Sequence, residues 1–581
     1  MDAMIKKIPY GMTDFERIIR ENFYYVDKTK YIAKVEEVSS FFFFVRPRRF
    51  GKSLFINMLG LYYDINKKDR FEEIFGGLYI GKNPTPNRNK YLVLTLNFSS
   101  VAANMEELEE TFNTYCQIVI TGFTERNAHL LGENAVEKLK ELKTGAALLG
   151  SVCQSAQSAG RKIYLILDEY DNFANNILVD YGNERYRSIT HGSGFFRSFL
   201  KVVKDYSSIV IERIFLTGVS PVTMDDLTSG FNIAANYSSS PIFNNMMGFN
   251  EQEVRNLINY YKSYLELPHT TDELINIMKP WYDNYCFATK SIGEPSMYNS
   301  DMVLYFINHY ILNEDIPNNM LDANIRTDYN KLRHLIHVDK TFGANASVVQ
   351  EVVEKGFTTG IIVDSFPAEN IIKSENFKSL LYYYGMLTIN GVEMGEPVLS
   401  IPNWAVREQL YGYMVDIYKD SANLYLETDK LVERMKLMAY RGEWENYFKY
   451  ISERLESQSS IREFIEGEAH VKAFILAYLG LTHYYIARPE YESNKGYADI
   501  FLQPRLMQLP DMVYSYCIEV KYAKREASET EIEKLVADAK IQLKQYAASQ
   551  WIQQDKGTTK LKSIVLVFQG WQLVRVEEAR D

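Results

Sequence analysis

Gly51, Lys52 and Ser53 are the residue types that hold a nucleotide phosphate. A glycine lets backbone N–H groups approach phosphate oxygens, a lysine ammonium reaches the β- and γ-phosphates, and a serine hydroxyl ligates Mg²⁺ at a helix N-terminus. The G-x-x-x-x-G-K-[ST] spacing asks for a glycine five residues before Gly51, and Arg46 stands there. Pro47, Arg48 and Arg49 fill the loop, and Arg49 is assigned to the phosphate side with Gly51, Lys52 and Ser53. A surface loop that happens to contain GKS is the competing reading. Against it stand the apolar run 41–45 before the loop and the helical pattern LFINMLGLYY after it, and Asp168 and Glu169 end a further apolar run. Asp168 would hold Mg²⁺ through water and Glu169 would polarise an attacking water.

A second constellation lies near the other end of the chain. Asp499 falls on one apolar run, and Glu519 and Lys521 are two apart on the next, so both point to one face of a strand. An Asp facing Glu-x-Lys can hold one or two Mg²⁺ ions against a phosphodiester, with the lysine orienting or helping to deprotonate water. Glu468, at the start of an apolar helix, is placed to add a third carboxylate. The alternative is a half-exposed strand with a surface Glu/Lys pair.

The elements that must position these residues are legible as alternating patterns. Strands are expected at 41–45, 91–98, 162–167 and 210–216, with helical patterns between them, and predict an α/β fold with a mostly parallel sheet. Thr217 could sense a γ-phosphate, although a plain strand end is the commoner explanation. From about residue 240 the pattern turns helical, opening with Asn250 and Glu253 at capping-box spacing. His334 and His337 read as solvent-facing rather than as metal ligands. A β-rich patch is expected around 386–402 and helices over 403–460. The tail reads as helix 466–480, strands 495–502 and 513–522, helix 531–547 and strand 561–568. This divides the chain into 1–240, a helical lid and linker at 241–460, and 461–581.

The composition sets bounds. The 581 residues are too many for one core, and 46% hydrophobic with 24% charged is an ordinary soluble balance. A net charge of −11 opposes coating of nucleic acid by bulk electrostatics, so any groove must be built locally, for instance from Lys521, Lys524, Arg525, Lys540 and Lys544. Cys116, Cys153, Cys286 and Cys517 form no C-x-x-C pair, which argues against a zinc ribbon or disulfide framework. The first residues lack the apolar core of a signal peptide and no run is long enough to span a membrane, so the expectation is a cytoplasmic protein without a membrane partner.

RPRRFGKSL at 46–54, YYVDKT at 24–29, LILDEYD at 165–171 and LTGVSPV at 216–222 together resemble the AAA-ATPase-like family of bacterial proteins, whose loop carries RPRRFGKS in place of the first glycine. WYDNYCF at 281–287, FKSLLYYYGMLTI at 377–389 and IPNWAVREQ at 401–409 are similar to that family as well. The C-terminal residues resemble the PD-(D/E)XK nuclease superfamily. That resemblance implies Asp499 as the motif Asp, Glu519 and Lys521 as the (D/E)XK, Glu468 as the helix carboxylate, and Gln542 with Tyr546 as a Q-x-x-x-Y. It implies a P-loop ATPase core, a helical lid or linker and a restriction-endonuclease-like α/β domain, with ATP and Mg²⁺ as cofactors. Two functions follow: an ATP-controlled nuclease acting on nucleic acid, DNA ahead of RNA, or a nucleotide switch whose nuclease-like domain binds a partner without cutting. A metabolic kinase would need an acceptor pocket for which there is no signature. A homo-oligomer would need an arginine finger, for which Arg197 and Arg213 are among the candidates.

Overall fold

The computed structural model describes residues 5–101, 107–172, 194–221, 234–322, 344–367, 370, 373–422, 426–457, 467–493 and 496–579. His334 and His337 lie outside these. The chain forms two compact units, Met1–Lys331 with Gly360–Pro397, and Leu332–Thr359 with Val398–Asp581.

In the first unit a five-stranded sheet runs in the order β2-β3-β4-β1-β5, with β1 Phe41–Val45, β2 Leu92–Asn97, β3 Ile163–Asp168, β4 Ile211–Gly218 and β5 Ala235–Asn236. Every neighbouring pair is parallel. All six residues of β3 are buried, as are Phe42 to Val45. Strands so uniformly apolar must be covered on both faces, which a parallel sheet with crossover helices provides. Helix Lys52–Tyr63 lies against β2 and β3, and helix Gly145–Ser158 packs on Leu108–Arg126 and Phe195–Ser207.

Two strand ends pass beyond their apolar runs, and both matter for the site. β3 includes Asp168 and β4 extends to Gly218, because the parallel ladder continues through Asn97↔Asp168 on one side and Val45↔Gly218 on the other. Thr217 is therefore inside β4, fully buried, and its hydroxyl donates to the Phe44 carbonyl at 2.6 Å. The strand-end explanation of this threonine fits; its hydroxyl is engaged by the neighbouring strand.

The capping box at Asn250 and Glu253 opens helix Glu251–Lys262, and a second, Thr270 with Glu273, opens Thr271–Tyr282. β6 Phe249–Asn250 pairs antiparallel with β7 Met297–Tyr298, and helix Ser300–Asn313 follows. The remaining short strands are β8 Phe357–Thr359, β9 Thr388–Glu393 and β10 Glu396–Ser400, with Met394 and Gly395 at positive φ in the turn between the last two.

The second unit is built on a five-stranded sheet, β11 Tyr485–Ser493, β12 Gly496–Pro504, β13 Tyr514–Ala523, β14 Lys560–Gln569 and β15 Gln572–Glu578, in that order. β13 and β14 are parallel and the other pairs antiparallel. The sequence pattern misses β11 and β15. β11 carries Pro489, which only an edge strand tolerates, and β15 is an edge strand without a buried face. Helix Glu529–Ala547 buries Ile532, Val536, Ala539, Leu543 and Tyr546 against Cys517, Phe501 and Val565. Helix Glu468–Leu479 packs on helix Ala344–Lys355 and helix Trp404–Ala422 of the same unit. Among the described residues no helix is long and apolar enough to cross a membrane.

Candidate nucleotide site and candidate metal centre

The loop after β1 turns into helix Lys52–Tyr63 through two left-handed residues, Arg49 at φ 66° and Gly51 at φ 90°. Glycine adopts that angle without a Cβ penalty, and a helix N-terminus offers unpaired N–H groups that suit an anion. Lys52 is buried, and its ammonium donates to the carbonyls of Arg46 and Pro47, each at 2.9 Å. Burial pushes its pKa down, with Glu169 and Asp168 opposing. Arg49 Nη1 reaches Asp301 Oδ2 at 2.9 Å.

Arg46, the residue in place of the expected glycine, turns into the protein interior. It is 2% exposed; its guanidinium lies 4.1 Å from the Phe44 ring centre and 4.2 Å from that of Phe287. It donates to the carbonyls of Val45, Ser238 and Phe243 at 3.1, 2.6 and 3.0 Å. Burial brings its pKa down to about 10, so it stays charged at neutral pH. The arginine thus secures the loop from beneath. Arg46→Ala is expected to cost about 3 kcal/mol or more in unfolding free energy by denaturant titration, since three buried carbonyls lose their donor; a loss under about 1 kcal/mol would contradict this role. Phe50 packs edge-on against Tyr285 and Phe287, at 4.9 and 5.4 Å, and a Cβ added to Gly385 would lie 2.8 Å from the Pro47 ring. The WYDNYCF and YYYGM stretches therefore buttress the loop.

Asp168 ends β3 beside the loop. Its Oδ2 faces Ser53 Oγ at 3.4 Å and accepts from Asn97 Nδ2 at 3.1 Å, while Oδ1 accepts the Glu169 N–H at 2.9 Å. Burial first, then the Glu169 charge, brings its pKa up to about 6. An acid whose pKa rises on folding is most favourable to the fold when protonated. Stability is therefore lost as pH rises between the ordinary carboxylate range and about 6, and stays lost above it. In the metal- and nucleotide-free protein, Asp168→Asn is expected to raise stability by about 2 kcal/mol at pH 7.5 and by nothing below pH 4. A pH-independent difference between the melting curves would refute the assignment. Glu169 holds φ 49°, a left-handed angle that costs an L residue energy and that clusters at functional positions. Asp171 accepts from the Val219 and Ser220 N–H groups and ties the ends of β3 and β4 together.

The loop and Glu169 border a cavity of about 570 Å³. Gly51, Lys52, Ser53 and Glu169 form one wall, and Tyr24, Tyr25, Met247 and Phe249 supply apolar surface. Lys28, from YYVDKT, also borders it, with its ammonium 2.8 Å from both oxygens of Glu253. The size and the mixed lining suit a nucleotide.

In the second unit, Ile500 pairs with Ile518 across β12 and β13, so Asp499 stands opposite Glu519. Asp499 Oδ2 accepts the Val520 N–H at 2.8 Å and Lys521 Nζ lies 2.7 Å from Glu519 Oε1. Glu519 is 2% exposed, and burial followed by the Asp499 charge brings its pKa up to about 7. Burial disfavours the Lys521 ammonium, but Glu519, Asp499 and Glu468 outweigh it and raise its pKa. Glu468 is raised by burial and by Asp499. Helix Glu529–Ala547 brings Tyr546 close enough for its pKa to respond, after burial, to Glu519, Lys521 and Asp499. Glu519 Oε2 and Gln542 Oε1 are buried with no hydrogen-bond partner. An acceptor oxygen left without a donor is what a cation site requires. Among the described residues no three His, Cys, Asp or Glu side chains converge as an ion cage. Mg²⁺ does not need one, since it is commonly held by one or two carboxylates with water and substrate phosphate. Of the basic residues proposed for a groove, Lys540 pairs with Glu577 at 2.6 Å and Arg525 stacks 4.9 Å from Trp571.

A Gly-Lys-Ser loop feeding a helix beside an acidic strand end on a parallel sheet defines a P-loop ATPase-like core, and the mixed sheet with Asp opposite Glu-x-Lys defines a restriction-endonuclease-like domain. The chain carries both: residues 9–228 match the family described as predicted AAA-ATPase, and residues 466–578 match the PD-(D/E)XK nuclease superfamily. A curated relative, described as an uncharacterized protein in the vnfD 5′ region of Azotobacter chroococcum mcd 1, is 27% identical over 304 residues, 52% of each chain. The chain thus spans about half the length of that relative. Among solved structures it aligns with Cdc6p from Pyrobaculum aerophilum at 9% identity, over 64% of this chain and 87% of that one, with a TM-score of 0.24.

Sequence reasoning misses Asn97, Asp301, Lys472 and Glu490. Asn97 could have been found, since it ends the apolar run of β2 as Asp168 ends that of β3. Lys472 follows Glu468 by one helical turn, a spacing that puts both on one side of the helix. Asp301 and Glu490 carry no signal of their own.

Proposed function

We propose that this chain binds and hydrolyses ATP, and that its nucleotide state controls a Mg²⁺-dependent nuclease acting on nucleic acid, DNA ahead of RNA. The observation that carries the nuclease reading is Glu519, buried opposite Asp499, with one oxygen on Lys521 and the other without a partner. Asp499 and Glu519 would hold the ion, which would supply Lewis-acid polarisation of the phosphodiester and a lower pKa for a bound water. Lys521 orients that water and offsets charge building on the phosphate, and Gln542 offers an acceptor from the facing helix. In the first unit, Lys52 exchanges the Arg46 and Pro47 carbonyls for phosphate oxygens. Ser53 and Asp168 would hold the nucleotide's Mg²⁺, and Glu169 would polarise the attacking water and accept its proton. Arg49, paired with Asp301, lies on the phosphate side.

The test is incubation with single- and double-stranded DNA and RNA in Mg²⁺ or Mn²⁺, with and without ATP. Cutting whose rate changes with ATP supports the coupled reading. ATP binding with no cutting of any substrate would reassign the chain as a nucleotide switch with a binding platform.

A further inference from the structure

Lys472 sits at the C-terminal centre without belonging to any motif of the sequence. It leaves helix Glu468–Leu479 one turn after Glu468, its side chain is 9% exposed, and its ammonium lies 2.6 Å from Glu490 Oε1 and 3.2 Å from Asp499 Oδ1. Glu490 falls on β11 between Pro489, opposite Ile500, and Tyr491, opposite Ala498, which places it across from Asp499. In mid-strand it holds φ 43°, a left-handed angle that an L residue keeps only where its surroundings enforce it. Helix Ala344–Lys355 adds Glu354 to this environment: its carboxyl is pushed up by burial, while the Lys472 charge opposes that rise. Asp499 and Glu490 therefore face each other across a fixed positive charge, and Glu519 Oε2 on the neighbouring strand has no partner. A buried cation clamped between two carboxylates does electrostatically what a bound metal ion does.

Resting on the reading of Asp499 and Glu519 as a metal centre, we propose that Lys472 is a built-in second cation. Its ammonium fills the position between Asp499 and Glu490, so the centre takes one divalent ion on Asp499 and Glu519. Glu490 becomes a metal ligand only when the lysine is removed.

The experiment counts Mn²⁺ bound to the nucleotide-free full chain, by calorimetry and by electron paramagnetic resonance. It compares the natural sequence with Asp499→Asn, Lys472→Met and the double variant Lys472→Met/Glu490→Gln. Methionine keeps the length of the apolar stem and removes the charge. The natural protein is expected to bind one more Mn²⁺ than Asp499→Asn. Lys472→Met should bind two more, with an exchange-coupled two-manganese signal, and the double variant should return to one. Two ions at this centre in the natural protein would overturn the proposal, and that count stands even if Lys472→Met fails to fold. So would a folded Lys472→Met that still binds one. No difference between the natural protein and Asp499→Asn would instead overturn the metal-centre reading itself, and this proposal with it.

Discussion

Cleavage by Lys521→Ala is expected to fall about 10²–10³-fold, the scale on which one positioned charge at a reacting phosphate acts. Cleavage by Asp499→Ala should fall to background. Lys521 lies 2.7 Å from Glu519 and has no equivalent on the neighbouring strand, where Asp499 instead meets Lys472. Its loss would leave a buried carboxyl without its counter-charge, so Glu519 would be protonated more readily and hold an ion less well. ATP binding should be unchanged in both variants, because the nucleotide residues all belong to the first compact unit. Cutting that survives both changes would remove these residues from the reaction; loss of ATP binding together with loss of cutting would point to misfolding instead.

Lys52→Ala is expected to weaken ATP binding about 100-fold by calorimetry or nucleotide fluorescence, roughly 3 kcal/mol for charge-assisted contacts in a buried site. The lysine is already desolvated and held by two carbonyls of the loop. Exchanging those dipoles for phosphate charge favours binding. The same two carbonyls lose a donor in the variant, so the melting temperature without nucleotide must be measured beside the affinity. An unchanged affinity with an unchanged melt would show that this loop does not hold the phosphates.

The features that the sequence leaves open share a cause. Arg46 reads in the sequence as a departure from a phosphate-loop pattern. Its actual place depends on Ser238, Phe243 and Phe287, residues far along the chain that surround the guanidinium with carbonyls and rings. Thr217 reads as a strand end, and the parallel partner β1 engages its hydroxyl. β11 is hidden because Pro489 and its charged neighbours resemble a turn, yet as an edge strand it needs only one ladder.

By itself the sequence determined what short-range patterns determine. Continuous apolar runs gave the buried parallel strands, Asn250 with Glu253 gave a helix start, and the two-residue spacing of Glu519 and Lys521 put them on one face. It also placed Gly51 immediately ahead of a helix. Each of these follows from backbone periodicity or the conformational range of a single residue. Tertiary structure decided the meeting of Asp499 with Glu519 in register, the packing of Arg46 beneath its loop, and the insertion of Lys472 between Asp499 and Glu490. Those contacts join elements whose relative placement no local pattern encodes. They hold because burial makes an uncompensated charge costly, so each buried ion takes the partner that the fold brings within reach.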